Sequence, residues 1–259
     1  MVSQDYIRFA AVGDTHCTKE SGGSLRGLFA QASQQADALL LCGDLTDYGL
    51  PDEARVLAEE LGAARVPIVA VLGNHDFESD AQDQVRRILT DAGVHMLDGE
   101  ACEIHGVGIA GAKGFAGGYG RSTLGAWGER AIKLFVNEAI QETLKLESAL
   151  AKLRTPERLV LLHYSPIAAT VQGEPVEIFP FLGTSRLEEP LIRYPVSAIL
   201  HGHAHRGTLE GKTVNGTPVY NVAMPLLRRS FPDRPAFRVI ELPRPQTEQT
   251  REAASLAGP

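Results

Sequence analysis

Residues 38–47 read ALLLCGDLTD, and this stretch decides the fold. Ala38–Cys42 is apolar at consecutive positions and stops at a glycine, the pattern of a strand covered on both faces. The same pattern occurs in IRFAAVGDTH at 7–16 and in IVAVLGNHD at 68–76. Strands are therefore predicted over Ile7–Val12, Ala38–Cys42 and Ile68–Leu72. Between and after them, Leu25–Ala36, Asp52–Leu61 and Ala81–Ala92 have helical spacing, and Pro51 suits a helix start. Strand alternating with helix implies βαβ units and a parallel sheet.

Beyond residue 93 the rhythm changes. His95–Leu97, Cys102–Ile104 and Val107–Ala112 are short and close together, which predicts antiparallel strands. GAKGFAGGYGRSTLGAWG at 111–128 has the glycine density of a loop. Glu129–Leu153 reads as a long amphipathic helix ended by Pro156. Leu159–Leu162 and Val196–Leu200 read as buried strands, with an irregular stretch at 165–185 between them. Leu209–Thr213, Pro218–Val222 and Phe237–Leu242 are assigned to a second sheet. The expected architecture is α/β, an α+β sandwich of two packed mixed β-sheets flanked by helices, with the site on loops at strand ends. Residues 1–243 are expected to form a single domain, and 244–259, polar and proline-containing, a loose tail.

The chain has 259 residues, with 25 Lys plus Arg against 32 Asp plus Glu, a net charge of −7. At 44% hydrophobic and 22% charged it is an ordinary globular composition, which argues against a disordered polymer. The acidic balance disfavours a nucleic-acid polymer as partner. No apolar run approaches the ~20 residues of a membrane span. The N-terminus lacks a cationic stretch ahead of an apolar one, so a cytoplasmic protein is expected. The three cysteines, Cys17, Cys42 and Cys102, show no CxxC spacing and support neither a disulfide framework nor a thiolate metal site.

The chemistry sits where the strands end. Gly13-Asp14-Thr15-His16, Gly43-Asp44-Leu45-Thr46-Asp47, Gly73-Asn74-His75-Asp76, His163 and His201-Gly202-His203-Ala204-His205 each follow or close a predicted strand. In open α/β sheets, ligands bind beyond the carboxyl ends of strands. Carboxylate, imidazole and amide oxygen suit divalent first-row metals such as Mn, Fe, Zn, Co or Ni. Asp14 and His16, two apart on an extended segment, point to one side, as do His203 and His205. Asp14, His16, Asp44, Asn74, His163, His203 and His205 exceed one tetrahedral site and suit two metals, with Asp44 as the candidate bridge.

The ordered set GDTH, GDLTD, GNHD, a histidine after a strand, and GHAH resembles the calcineurin-like metallophosphoesterases, whose pattern is DxH, GDxxD, GNH(D/E), H, GHxH. It runs from Asp14 to His205. The resemblance implies one metal held by Asp14, His16, Asp44 and His205, and a second held by Asp44, Asn74, His163 and His203. His75 would sit over the substrate phosphate and assist the leaving oxygen. The implied activity is hydrolysis of a small soluble phosphodiester, of the cyclic-nucleotide or glycerophosphodiester type, by in-line attack of a metal-bridging hydroxide. A phosphomonoesterase or nucleotidase using the same site is the alternative, and a metal-binding scaffold without hydrolysis is a third. Asp47 stands where purple acid phosphatases carry a tyrosine. Tyr48 and Asp76 stand where protein Ser/Thr phosphatases carry Arg and Glu, so the pattern is closer to the bacterial phosphodiesterase branch.

Other residues border these motifs. Asp47 and Asp76 are candidates to orient ligands or to cap turns, and His201 to pack behind the site. In the glycine-rich stretch, Tyr119 and Arg121 are candidate substrate contacts beside Lys113 and Trp127, as is Tyr164 next to His163. His95 and His105 belong to no motif. Arg228 and Arg229 are expected in a loop as a solvated pair. The long helix and the loops at the pocket rim offer surface to a twofold mate, so a homodimer is considered.

Overall fold

The computed structural model describes residues 6–244. The expected tail at 244–259 lies outside the described residues apart from Arg244. Eleven strands among the described residues form two sheets.

The first sheet has the order β11-β1-β2-β3-β4, from β1 (Tyr6–Val12), β2 (Ala38–Cys42), β3 (Ile68–Val71), β4 (Val94–Met96) and β11 (Arg238–Pro243). Strands β1 to β4 run parallel. The connecting helices are α1 (Arg26–Gln35), α2 (Pro51–Leu61) and α3 (Gln82–Asp91). Helix α2 opens on Pro51, with Asp52 and Glu53 in its first turn. The Glu53 carboxylate accepts from the Tyr48 and Leu50 amides at 2.9 and 3.3 Å, which ties up free donors at the helix start.

The second sheet has the order β5-β6-β7-β8-β10-β9. Its strands are β5 (Glu100–Ile104), β6 (Val107–Gly111), β7 (Arg158–Leu161), β8 (Ala198–His201), β9 (Glu210–Lys212) and β10 (Pro218–Asn221). The four central strands are parallel, and β5 and β9 are antiparallel edges. Helix α4 (Arg130–Lys152) covers the outer face. Three short helices, α5 (Phe179–Leu182), α6 (Glu188–Arg193) and α7 (Met224–Ser230), lie in the connections.

Alternation along the second sheet builds the sandwich. Leu159 and Leu161 of β7 join Val107, Ile109 and Leu200 in a core shared with the first sheet. Val160, Ile199 and Ala110 point the other way, onto Leu146, Ala149 and Leu150 of α4. Fully burying one such leucine contributes about 1.5–3 kcal/mol.

Three expectations are corrected. The strand predicted at His95–Leu97 is β4, and it pairs parallel to β3; only the β5–β6 hairpin in that region is antiparallel. The strand predicted at Phe237–Leu242 is β11, and it joins the first sheet beside β1 rather than the second. Arg228 and Arg229 lie in α7, whose first turn holds Pro225. Among the described residues, no helix is long and apolar enough to cross a membrane.

Candidate metal centre

The loops after β1, β2, β3, β7 and β8 meet at one edge of the sandwich. Backbone hydrogen bonds join them past the strand ends. Asp14 N donates to Gly43 O at 2.9 Å, His16 N to Asp44 O at 3.0 Å, and Gly202 N to His163 O at 3.2 Å. Six non-glycine residues among those described have left-handed φ, and four of them are Asp14, His16, Asp44 and His203. Each such position costs energy for an L-residue, so the surrounding loops must over-determine it. At Gly73 and Gly202 there is no room for a side chain. A Cβ at Gly73 would overlap the Asp44 amide and carboxylate, and one at Gly202 would overlap the Asp14 carboxylate.

Two donor clusters result. In the first, His205 Nε2 lies 2.9 Å from Asp14 Oδ1, and His16 Nε2 lies 3.5 Å from His205 Nε2 and 3.8 Å from Asp44 Oδ2. In the second, His163 Nε2 lies 3.3 Å from Asp44 Oδ1 and 2.9 Å from Asn74 Oδ1. Asp44 thus turns one oxygen to each cluster. Asp14, His16 and His205 can present ligand atoms within 4.8 Å of one another, and so can Asp44, His163 and His203; His16, Asp44 and His75 form a third such group.

Hydrogen bonds at the far ring nitrogens select the tautomers. His163 Nδ1 donates to Cys42 O at 3.0 Å, and His203 Nε2 donates to Phe181 O at 3.1 Å. His163 therefore keeps the Nε2 lone pair and His203 the Nδ1 lone pair for a ligand. His16 Nδ1 is fixed by Asp47 Oδ1 at 3.0 Å, which leaves Nε2 toward the cluster.

Acceptor atoms face one another here. The Asp44 and Asn74 oxygens converge on an imidazole lone pair, and only a proton or a metal cation satisfies all three. The donor set fits divalent cations on this ground. Without metal the proton takes the place: burial opposes charge on His163, but the carboxylate of Asp44 and its hydrogen bond raise the group to about 9. Asp44 is desolvated too, yet His163 and the His75 amide hold it well below the usual carboxylate range. Burial beside His163 pushes His203 down to about 3.

His75 stands between the clusters and solvent. Its amide donates to Asp44 Oδ1 at 2.8 Å, and its Nδ1 donates to Asp47 O at 2.7 Å, which leaves Nε2 available. Its ring lies 4.6 Å from that of His16. Asp76 is buried and takes no place in the clusters. It accepts from the Gly73, Leu45 and Thr46 amides at 2.8, 3.2 and 2.8 Å and from Thr46 Oγ1 at 2.6 Å, which joins two motif loops. Burial and the charge of Asp44 push it up to about 6. His201 is buried behind the site, 2.8 Å from Thr170 Oγ1, and burial lowers it to about 4.

The substrate candidates separate. Tyr164 is buried, its ring 4.5 Å from that of His203, and it lines a pocket with Asn74. Tyr119 packs on Val171, Leu182 and Ala204. Arg121 is exposed. Sequence reasoning did not single out Phe77 or Phe115, which share the pocket of Tyr164. It also missed that Arg229 Nη1 donates to His205 O at 3.0 Å. Pro225 in the first turn of α7 was the signal that this arginine sits on a helix.

The comparisons with known proteins agree with this architecture. Among curated proteins, none matches the chain. Phosphopantetheinyl hydrolase from Mycobacterium tuberculosis superposes with a TM-score of 0.65 at 14% identity, over 92% of this chain and 97% of that one. The anchor of the inner membrane complex of Plasmodium gives 0.54 at 14% identity, over 86% and 73%. Purple acid phosphatase from yellow lupin seeds gives 0.51 at 15% identity, over 85% and 44%. At such identities these neighbours speak for the fold. The profile of the calcineurin-like phosphoesterases matches residues 7–207, and the chain belongs to that family.

Proposed function

We propose that the protein is a binuclear metal-dependent phosphoesterase acting on a small soluble phosphodiester. The observation that carries this reading is the Asp44 carboxylate, whose two oxygens face two histidine-containing clusters. Asp14, His16, Asp44 and His205 would hold one ion, and Asp44, Asn74, His163 and His203 the other. Such a pair supplies Lewis acidity toward a phosphoryl oxygen and an activated water. The chain's own residues do the rest. Asp47 fixes the ring of His16, the Cys42 and Phe181 carbonyls fix His163 and His203, and His75 presents Nε2 to the substrate side, where it assists the leaving oxygen.

The departure from the protein phosphatase pattern at Tyr48 and Asp76 supports the diester. Asp76 is taken up by four donors from its own loops, so it offers nothing to a substrate. The test compares turnover of bis-p-nitrophenyl phosphate and p-nitrophenyl phosphate with Mn²⁺, Fe²⁺, Zn²⁺, Co²⁺ or Ni²⁺. Faster cleavage of the diester is expected. Faster cleavage of the monoester would make the protein a phosphomonoesterase, and turnover of neither would leave a metal-binding scaffold.

A further inference from the structure

A pocket of about 200 Å³ adjoins the second donor cluster, lined by Asn74, Phe77, Lys113, Phe115, Glu138 and Tyr164. Because Asn74 is an expected metal ligand, the pocket opens where the substituent of a bound phosphate would extend. Its unusual member is Lys113, which is 8% exposed. The Lys113 ammonium donates to Gly114 O at 2.9 Å, and among the described residues it has no other hydrogen bond and no ion pair. Three rings surround it, with Phe115, Phe77 and Tyr164 centroids at 4.9, 5.3 and 5.4 Å.

Of the carboxylates near this cation, exposed Glu138 makes no ion pair with it, and two others are engaged elsewhere. Glu142, 1% exposed, accepts from the Gly114 amide at 2.9 Å and from Lys145 at 2.7 Å. Asp98 accepts from Lys145 at 2.9 Å. A second cavity shares Phe77, Lys113 and Glu138 with the first, and Gln82 lines it. Among the described residues, Gln82 Oε1 is buried with no hydrogen-bond partner. An ammonium has three donors, and only one of those on Lys113 is used; the charges of Glu142 and Glu138 act on it from a distance, without an ion pair. Both cavities therefore present unmet polar groups, the first behind aromatic walls and the second among charged side chains.

We infer that this pocket receives the non-reacting arm of the phosphoester substrate, and that the arm carries a carboxylate paired with the Lys113 ammonium. This rests on the phosphoesterase reading above. A single unpaired cation matches a singly charged carboxylate. A second phosphate would bring more charge than Lys113 balances, beside the exposed Glu138. Phe77, Phe115 and Tyr164 would cover the hydrocarbon stem and keep water from the ion pair.

The test titrates the Mn²⁺-loaded protein by calorimetry with a short homologous series of phosphate monoesters of linear hydroxy acids, each against the alkyl phosphate of matched length. At one chain length the carboxylate ester should bind about tenfold more tightly than its match, the weight of one charge-assisted hydrogen bond. Lys113→Met should bring that ratio to near one. A ratio near one at every length in the unmodified protein overturns the inference, and this arm needs no variant to fold. A preference that survives Lys113→Met, or Lys113→Gln if the first fails to fold, also overturns it. Turnover of bis-p-nitrophenyl phosphate without carboxylate preference removes the pocket assignment alone. Absence of both turnover and alkyl phosphate binding removes the phosphoesterase reading and the assignment with it.

Discussion

The metal-ligand edge and the pocket around Lys113 touch at Asn74 and Tyr164, yet they are held in opposite ways. At the edge the backbone does the holding. The Asp14 carboxylate accepts from the His203 amide at 2.9 and 3.0 Å, Asp44 from the His75 amide, and Asp76 from three amides of the motif loops. In the pocket, side-chain packing does it, with three rings around the Lys113 ammonium. Backbone-fixed geometry has no slack, because a change of one atom moves a whole loop. A packed side-chain wall can change residue and keep the fold. On the proposed reading, the edge would set whether chemistry occurs, and the pocket beside it which substrate is chosen.

Substitutions can break this contrast, beginning with the harshest. Gly73→Ala adds one methyl group where Asp44 already lies, so metal content and melting temperature should both fall sharply. Gly27→Ala, on the exposed face of α1 with open space around it, should stabilise by about 0.5–1 kcal/mol. Equal effects of the two, read by calorimetric melting, would remove the claim that the edge lacks slack. His75→Gln should lower turnover by about 10²–10⁴-fold with metal content unchanged, the weight of a positioned acid or base. Full turnover in that variant, measured at saturating metal, would end the catalytic role. Asp47→Asn removes the carboxylate that orients His16 and should weaken metal affinity by about 10–100-fold. Unchanged affinity in a chelator competition would reduce Asp47 to a turn residue.

The smallest effect is on pH dependence and needs no variant. His163 and His205 are raised in the folded, metal-free protein; burial opposes both, but Asp44 and Asp14 outweigh it. Their stabilisation is fully present below about 6.5, the unfolded value, and is lost as pH rises through the folded value, about 9 for His163. The melting temperature of the metal-free protein should therefore fall between these limits. In the same window metal affinity should rise, since metal and proton compete for the same nitrogens. A metal-free melting temperature that climbs across that range would contradict the His163–Asp44 pairing.

The same contrast governs what the sequence could reveal. The edge was legible because each buried strand is a run of apolar residues that ends on glycine or runs into the candidate ligands. Asp14, Asp44, Asn74, His163 and His203 were singled out because each stands just past such a strand end. The partners of β4 and β11 were not legible, since an apolar run states that a strand is buried but not beside which neighbour. Nor was the pocket. Phe77, Lys113, Phe115, Glu138 and Tyr164 come from separate segments, and nothing local to any of them marks the cluster. The left-handed backbone at Asp14, His16, Asp44 and His203 was equally hidden, because the residue type alone does not announce it.

The most direct measurement is the metal count. The protein is reconstituted with Mn²⁺, its metal is quantified by mass spectrometry, and turnover of bis-p-nitrophenyl phosphate is followed in parallel for the unmodified chain and for Asp44→Asn. The account predicts close to two ions per chain, with metal and turnover lost together in Asp44→Asn because both clusters share that carboxylate. One ion or none with no turnover, or an Asp44→Asn variant that keeps both ions and full activity, would contradict it.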